Sequence, residues 1–531
     1  MNQTPKLSQQ GKLLAESLRR VDAYESSLSA HRQKDTIHVP TVGSRLSTAY
    51  EQLRNASEYG ETHLLQQRAI RRYLKRVLSF HTKVSTTHLA DELVAELTQA
   101  EYIANDRTTR SDVKAIAGHI KRYYDAYWEY AESEHNTSKK MMFQDWMLDM
   151  LAVRCEQIFQ SHLRQLMFAH FAVSYLTSRV KPRKLIKNHE KVPNDDMPIV
   201  LYIGTHRALL KSDNATIRTA LVDSYQKDVD NIEEFVEFNH KLERLFNLKT
   251  TVYTTRIISK NGAALRFIYS GFFAGDAPLT ENSLKSPESL EQNLHQHVEH
   301  EYSQLNRRLD KGIIRSIIFL LITKGIIGFA LEFPYDMFLY GKLVLLPFLI
   351  NLFFPSVFIA ISRLTLSTPS DRNTSAVISQ ISNILFESDG RDFPIRLQKE
   401  SSSIGFNMVY AITFLIVFAG LSWILYLLEF NLVQGIIFFI FLSTAAFLSF
   451  RLSRQIHELE VVNMPQSSLS LLRDIVYMPF IAVGQWISYR YGQVNIIAMT
   501  LDILIELPLK TILRLVRQWT QFLNEKKDEL I

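Results

Sequence analysis

The chain has 531 residues, a formal net charge of +6 and 47% hydrophobic residues. This modest charge comes without a Lys/Arg-rich block interleaved with aromatic residues, so nucleic acid is not expected as a partner. The single cysteine, Cys155, excludes an intramolecular disulfide, so no oxidising compartment is required. The N-terminal sequence MNQTPKLSQQGKLLAESLRR lacks the apolar core of a secretory signal, so we expect the polar part before the first apolar run to stay in the cytoplasm.

The first part of the chain predicts a helical cytoplasmic domain. Residues 1–43 are expected to be a flexible N-terminal segment, in which a short helix precedes the polar stretch SLSAHRQKDTIHVPTVG. Residues 44–310 are predicted to form a mainly helical domain. Its helices are expected within STAYEQLRNASEYGETHLLQQRAIRRYLKRVLSF and over residues 88–104, 111–134 and 143–180, with a loop at NHEKVPNDDMP.

One stretch within this domain favours β structure. In TTVYTTRIISKNGAALRFIYSGFF (250–273), two β-branched and aromatic runs flank Lys260, Asn261 and Gly262. Asn-Gly favours a tight turn, so a single β-hairpin is predicted here. Because a lone hairpin needs something to pack on, a helix remains the alternative.

The end of the domain predicts a long helix that runs into the membrane. Ser286 and Pro287 form a typical helix start, and the helix is expected to enter the first span with little or no break. It carries the motif HQHVEHE. The side chains in this motif that could ligate a metal ion are His295, His297, His300 and Glu301. A zinc site would need a further ligand from elsewhere. The polar neighbours favour a solvated face, so we predict no metal and no cofactor, with a pH-sensing role as an alternative.

Four apolar runs approach the roughly 20 residues that a helix needs to cross a bilayer. They are Ile313–Leu331, Leu343–Ile361, Ile404–Leu428 and Asn431–Phe450. Short connections join them into two transmembrane hairpins, 313–361 and 404–450. Two buried hairpins of a large soluble protein are the alternative.

The charges around these runs predict the orientation. Positive residues flank the open ends of the hairpins: Arg307, Arg308, Lys311, Arg315, Arg363, Arg451 and Arg454. The tips carry mainly acidic residues: Glu332, Asp336 and Glu429, with Lys342 at one edge. The positive-inside rule therefore places both termini in the cytoplasm and both tips outside, and we expect a bacterial inner (plasma) membrane protein.

The segment between the hairpins, 362–403, is predicted to be a cytoplasmic amphipathic loop. Apolar residues recur at helical spacing in SDRNTSAVISQISNILFESDG, and Gly390 is the expected stop. Asn373, Thr374 and Ser375 match a glycosylation sequon. Because they are expected in the cytoplasm, we interpret the match as chance.

Residues 451–531 are predicted to form a C-terminal amphipathic or interfacial region. DIVYMPFIAVGQWIS (474–488) is short and contains Pro479, and VNIIAMTLDILIEL (494–507) carries a polar stripe of Asn495, Asp502 and Glu506. The pattern leaves open whether 474–507 re-enters, spans or lies on the membrane. The final run is predicted to be a basic amphipathic helix. Lys510, Arg514 and Arg517 lie on its polar face, and Trp519 lies on its apolar face. Such a helix is typical of an anionic membrane surface, although its apolar face could instead pack on the cytoplasmic domain.

Lys324 is the charge that lies deepest in an apolar run. It follows Arg315 by nine residues, about 13 Å along a helix. Asn351 lies at nearly the same depth in the second span, and Pro355 frees the Asn351 carbonyl because proline has no N–H. We predict that Lys324 pairs with Asn351, which offers its side-chain oxygen and this freed carbonyl to the ammonium group, and that the pair fixes the register of the hairpin. The alternative is a polar pathway, which Gln434, Thr413 and Ser422 could extend.

Two stretches resemble segments of uncharacterised multi-span membrane proteins from small-genome bacteria. They are AYEQLRNASEYGETHLLQQRAIRRYLKR (49–76) and TKGIIGFALEFPYD (323–336). The resemblance implies no activity, so no functional residue follows from it.

The expected fold class is mainly α: a helical cytoplasmic N-terminal domain, an α-helical membrane domain of four spans and C-terminal interfacial helices. No phosphate-binding loop, dinucleotide fingerprint, zinc-protease helix or nucleophile elbow is present, so an enzyme is not expected. With no Asp or Glu inside the four runs, a proton-driven transporter is also disfavoured. We expect a membrane-anchored scaffold or recruitment module that contacts anionic lipid and an unidentified cytoplasmic protein. A channel or transporter near Lys324 and a membrane-bound enzyme are the alternatives, and homo-oligomerisation is left open.

Overall fold

The computed structural model describes residues 6–31, 35–40, 62–179, 192–364, 366, 369–386, 404–462, 468–493, 515 and 519. Helices dominate these residues, and no β-sheet occurs among them. The predicted mainly α fold class is therefore confirmed.

The described chain divides into two compact units. The N-terminal unit comprises Leu7–Ser259 and Phe272–Glu281, and the membrane unit comprises Lys260–Gly271 and Asn282–Asn495. The division thus falls between 260 and 282 rather than at the predicted boundary of 310, because the polar first half of the helix that starts at Pro287 packs with the membrane helices.

The described residues of the N-terminal region form ten α-helices, numbered here in chain order. They are α1 Gln9–His31, α2 Thr62–Val77, α3 Leu89–Gln99, α4 Arg110–Ser133, α5 Thr137–Phe159, α6 Leu163–Arg179, α7 Met197–Thr205, α8 Asn214–Ser224, α9 Ile232–Asn247 and α10 Lys249–Asn261. Side-chain caps define several starts: Thr109 and Asp112 form a reciprocal capping box at α4, and Asn136 caps α5. Residues 41–61, the first part of one predicted helix, lie outside the described residues.

The prediction of a flexible segment over 1–43 is wrong for α1. This helix buries Leu14, Leu18 and Val21 and packs against α6. Residues 35–40 are also tied down, since the Ile37 N–H donates to the Thr108 carbonyl at 2.8 Å. The stripe is hard to recognise in the sequence because it is narrow and most of the other residues of α1 are polar.

The predicted β-hairpin at 250–273 is also wrong, because this stretch is helical. It forms α10, then α11 (Ala263–Ile268) and a π-helical turn over Tyr269–Phe273. A tight Asn-Gly hairpin turn would need positive φ at glycine, but Gly262 has φ −92°. The threonines fit the helix because Thr254 and Thr255 donate to the carbonyls of Thr250 and Thr251 one turn earlier.

The membrane unit adds seven helices to α11. They are α12 Pro287–Ile327, α13 Phe333–Tyr340, α14 Leu345–Leu364, α15 Asp371–Leu385, α16 Ile404–Leu427, α17 Leu432–His457 and α18 Ser468–Gln493. Ser286 caps α12 with Pro287 in its first turn, which confirms the predicted start and the unbroken run into the first apolar segment. A π-helical turn, Gly328–Glu332, joins α12 to α13.

Among the described residues, four helical segments are long and apolar enough to cross a membrane. They are Pro287–Tyr340, Leu345–Leu364, Met408–Leu427 and Leu432–His457. Three of them share one core, in which α12, α14 and α17 bury Ile313, Leu320, Ile359, Ile437, Phe441 and Ala445. Helices α14 and α17 run side by side in the same direction, as the contacts of Asn351 with Gln434 and of Phe354 with Phe438 show.

Helix α18 differs from its prediction, because it continues through Pro479 as a single helix of 26 residues. It packs closely against α17. A Cβ atom added at Gly484 would lie 2.1 Å from the Ser443 carbonyl oxygen, so only glycine allows this contact. The apolar run 494–507, with Asn495, Asp502 and Glu506, lies outside the described residues.

Helix α15 confirms the amphipathic helix predicted between the hairpins. Val377, Ile381 and Leu385 are buried on its inner face, and the helix packs against α11 and α12. Asn373 is only 2% exposed and binds Tyr302, the Leu459 carbonyl and the N–H groups of Val461 and Val462. An attached glycan would have no room, which agrees with a chance sequon. The expected stop at Gly390 lies outside the described residues.

Candidate functional site between the membrane helices

Lys324 is 2% exposed and points between helices of the membrane unit. Its Nζ donates to Asn351 Oδ1 at 2.6 Å, so the predicted side-chain pair is present. The predicted second acceptor, the Asn351 carbonyl, is replaced by Glu332 Oε1 at 3.3 Å. The Phe441 ring lies 4.5 Å from Nζ and adds a cation–π contact.

Glu332 and Asp336, which were predicted to lie at the first hairpin tip, are buried, with exposures of 1% and 0%, and belong to the apolar helical segment Pro287–Tyr340. The π-helical turn explains the difference. Lys324 and Glu332 are eight residues apart. In a regular α-helix, with about 100° of rotation per residue, this separation would place Glu332 about 80° away from the face of Lys324, whereas a separation of seven residues would place it within about 20°. A π-helical turn absorbs the extra residue, so Glu332 returns to the Lys324 face and Asp336 follows one turn later.

Asp336 is surrounded by hydrogen-bond donors. It accepts from Asn431 Nδ2 at 2.8 Å, from Gln434 Nε2 at 2.9 Å and from the Val344 N–H at 3.4 Å. The two amides are held by a capping box at the start of α17, in which Asn431 and Gln434 bond each other's backbone N–H groups. Both oxygens of Asp336 therefore act as hydrogen-bond acceptors.

Asn351 links the acidic and basic parts. Besides accepting from Lys324, its Nδ2 donates to Glu332 Oε1 at 2.9 Å and to the Gln434 carbonyl at 3.2 Å. We call this set the polar cluster; its members are Lys324, Glu332, Asp336, Asn351, Asn431 and Gln434. Sequence reasoning found Lys324, Asn351 and Gln434 and missed the other three. The Asn-x-x-Gln spacing of a capping box was the available signal for Asn431.

The charges of the polar cluster do not balance. One lysine faces two carboxylates, so with all three ionised the formal charge is −1. One oxygen, Glu332 Oε2, is buried and has no hydrogen-bond partner among the described residues. An unpaired charge or polar atom away from water is costly, so this oxygen is the unsatisfied position of the cluster.

Two further hydroxyls continue along the same helices. Ser356 on α14 and Ser443 on α17 are buried, and within the part of the chain that the structure describes neither Oγ has a hydrogen-bond partner. By contrast, Thr413 and Ser422 on α16 do not extend the cluster as the pathway alternative supposed. Thr413 bonds its own helix at the Val409 carbonyl, and Ser422 is exposed.

The histidine motif on α12 does not converge on one point. His295 pairs with Glu299, His297 with Ser270, and His300 with Gln304. Glu301 lies 3.5 Å from Arg308. Within the described ranges, no three His, Cys, Asp or Glu side chains are placed to hold a metal ion.

The predicted membrane-surface residues Lys510, Arg514 and Arg517 lie outside the described residues. Of the predicted basic helix, the structure describes Leu515 and Trp519, both helical and exposed, by 60% and 62%. The role of this helix on anionic lipid stays a prediction.

A second buried polar group lies in the N-terminal unit, where no site was predicted. His206 begins a π-helical turn after α7, and burial together with neighbouring His170 and His162 lowers its pKa to about 3. Among the described residues, four buried atoms of this group have no hydrogen-bond partner: Glu156 Oε2, His162 Nδ1, Tyr202 Oη and His206 Nε2 itself. Burial also raises the pKa of the adjacent Cys155 thiol to about 12, so this cysteine is protonated and unreactive.

The polar cluster combines a cation, two carboxylates and three amides within a few ångströms. Intramembrane groups of this kind are costly and commonly mark ion pathways or proton relays. No protein-family model, no curated protein and no solved structure matches this chain.

Proposed function

We propose that the membrane unit is a transporter or channel whose ion path passes through the polar cluster. The observation that carries this proposal is the buried excess carboxylate: two acids and one lysine share a site with exposures of 2% or less. A charge buried away from water without a counter-charge costs several kcal/mol. An ion that binds there and restores neutrality would remove that cost.

A purely anchoring role explains less of this arrangement. An anchor needs apolar helices, and replacing buried ion pairs by apolar residues is often neutral or stabilising. The Lys324 and Asn351 pair could serve as a register pin by itself. Asp336 adds a second carboxylate together with its own shell of donors, which a register pin does not require. For this reason the transport alternative is preferred over the scaffold role expected from the sequence.

The direction of the path follows from the proposed topology. Ser356 and Ser443 lie beyond Asn351 and Gln434 towards the positively flanked ends of α14 and α17. Those ends are proposed to face the cytoplasm of a bacterium. The path would then run from the cluster past these hydroxyls to the cytoplasmic side.

The test is ion flux in liposomes that contain the purified full chain. A membrane potential is imposed, and entry of H⁺, Na⁺ and K⁺ is measured separately. Flux above that of empty liposomes, abolished by Asp336→Asn, supports the proposal, because this variant keeps the side-chain size while it removes one charge and replaces one accepting oxygen by a donor. Ser422→Ala on the exposed face of α16 is the matched control and should keep full flux. If the wild-type chain gives no flux of any of these ions, the proposal is wrong.

A further inference from the structure

We infer that the ion bound by the polar cluster is a single exchangeable proton, held on Oε2 of Glu332. This inference rests on the proposed function for its transport role, but the binding of the proton stands on the geometry alone. Protonation changes one bond: Glu332 carboxylate and H⁺ give the neutral acid, and release is the reverse.

The charge count requires one added positive charge. Lys324 and the two carboxylates are all supplied by the continuous segment of α12, the π-helical turn and α13. The neighbouring helices face them with neutral groups: α14 gives Asn351, and α17 gives Asn431, Gln434 and the Phe441 ring. Among the described side chains in contact with the cluster, no second cation compensates Asp336, so one proton makes the cluster neutral.

The hydrogen bonds identify Glu332 as the acid that carries it. Both oxygens of Asp336 already accept from N–H groups, and an O–H on either would face a donor. In Glu332, Oε1 accepts from Lys324 and Asn351, while Oε2 is free. A proton on Oε2 therefore leaves every existing bond of the cluster in place.

The same free oxygen disfavours a metal cation. Hard cations need several oxygen ligands around them, six to eight for calcium. The cluster offers one oxygen without a partner, and the acids of the described segments form no metal-holding group. A proton needs only one oxygen, so it fits where a metal ion does not.

Proton exchange also needs groups that can pass a proton on. A hydroxyl can donate and accept at once. Ser356 lies five residues beyond Asn351, about 8 Å along α14, and Ser443 lies nine residues beyond Gln434, about 13 Å along α17. Both hydroxyls are buried and unpartnered, so each has a free donor and a free acceptor for a relay that includes intervening water.

The decisive measurement is the infrared carbonyl band of a protonated carboxylic acid in the full chain in liposomes. The wild type should show this band at neutral pH, and exchange into D₂O should shift it. Glu332→Gln mimics the protonated acid and should fold, but the band should disappear. Glu429→Gln, at an exposed acid between α16 and α17, should leave the band unchanged.

Flux in the same liposomes separates the two proposals. Proton entry lost in Glu332→Gln and kept in Glu429→Gln supports both. Flux of Na⁺ or K⁺ without the acid band overturns the proton inference and leaves the proposed function standing. The acid band without flux of any ion overturns the proposed function, while the bound proton is retained. A band that persists in Glu332→Gln overturns the assignment to this residue.

Discussion

Lys324 Nζ donates to Asn351 Oδ1 at 2.6 Å, and this bond joins the first two membrane helices at one depth. The same amide also donates to Glu332 and to the backbone of Gln434. Asn351 thus ties together α12, the π-helical turn and α17. Without Asn351, Lys324, Glu332 and the Gln434 carbonyl would each lose a buried hydrogen-bond partner.

Asn351→Leu is therefore expected to lower the free energy of unfolding by about 3 kcal/mol, since it leaves partners of a buried ion pair unsatisfied. Lys324→Met should cost a similar amount. Because the two residues bond each other, the double variant should cost less than the sum by about 1 kcal/mol or more. Denaturant unfolding of the full chain in detergent measures this cycle. Strict additivity of the two losses would contradict the coupling.

The Lys324 pair could be predicted because helical rise is fixed, so a residue count along two spans gives depth. The acids of the cluster could not be predicted in the same way. Glu332 returns to the lysine face through a π-helical turn, and no residue pattern in GFALE announces such a turn. A residue count therefore predicted the depth of Lys324 and Asn351 correctly, but it could not predict which face of the helix Glu332 occupies after the π-helical turn.

Gly484→Ala should loosen the contact between α18 and α17. The added methyl group would lie 2.1 Å from the Ser443 carbonyl oxygen and 2.7 Å from Phe447 Cβ, so the helices must separate. Overpacking of this kind typically costs 1–3 kcal/mol. Gly435→Ala is the matched control on α17, because its added Cβ would meet no described atom within 4 Å beyond its chain neighbours and the adjacent backbone of its own helix. Thermal unfolding in detergent should show a loss for the first variant alone, and equal melting temperatures would disprove the close contact.

Asn373→Ala should destabilise the membrane unit near the end of α17. It removes the partner of two backbone N–H groups, one backbone carbonyl and the Tyr302 hydroxyl. Unsatisfied buried groups cost about 1–3 kcal/mol each, so a loss of at least 2 kcal/mol is expected. Ser375→Ala, at an exposed position of the same helix, should change stability little. Proteolysis of the 458–462 segment provides the readout, and unchanged cleavage in Asn373→Ala would refute its bridging role.

The sequence predicted α15 well but α10 badly, and the reason is physical. In α15 the apolar residues recur at helical spacing, so pattern and fold agree. In α10 the β-branched residues favour a strand locally, yet Ile257 and Ile258 are buried by helix packing in the folded chain. Gly204 brings α7 within contact of Ile258 and Thr254, a long-range fit that local propensity does not contain.

His206 should make the N-terminal unit sensitive to acid. Burial lowers its pKa from the usual 6.5 to about 3, so between these values the unfolded chain binds a proton that the folded chain does not. The contribution of His206 to the free energy of unfolding is therefore complete above pH 6.5 and falls as pH drops towards 3, by up to about 1.4 kcal/mol per pH unit.

His206→Asn cannot take up the proton, so the free energy of unfolding should fall less steeply at low pH, although the variant removes packing at neutral pH. His81→Asn, at an exposed histidine of the same unit, should leave the limb unchanged. Hydrogen exchange of Met197–Thr205, corrected for the chemical exchange rate at each pH, measures this loss of stability. If stability falls with pH equally steeply in the wild type and in His206→Asn, His206 is not the group responsible.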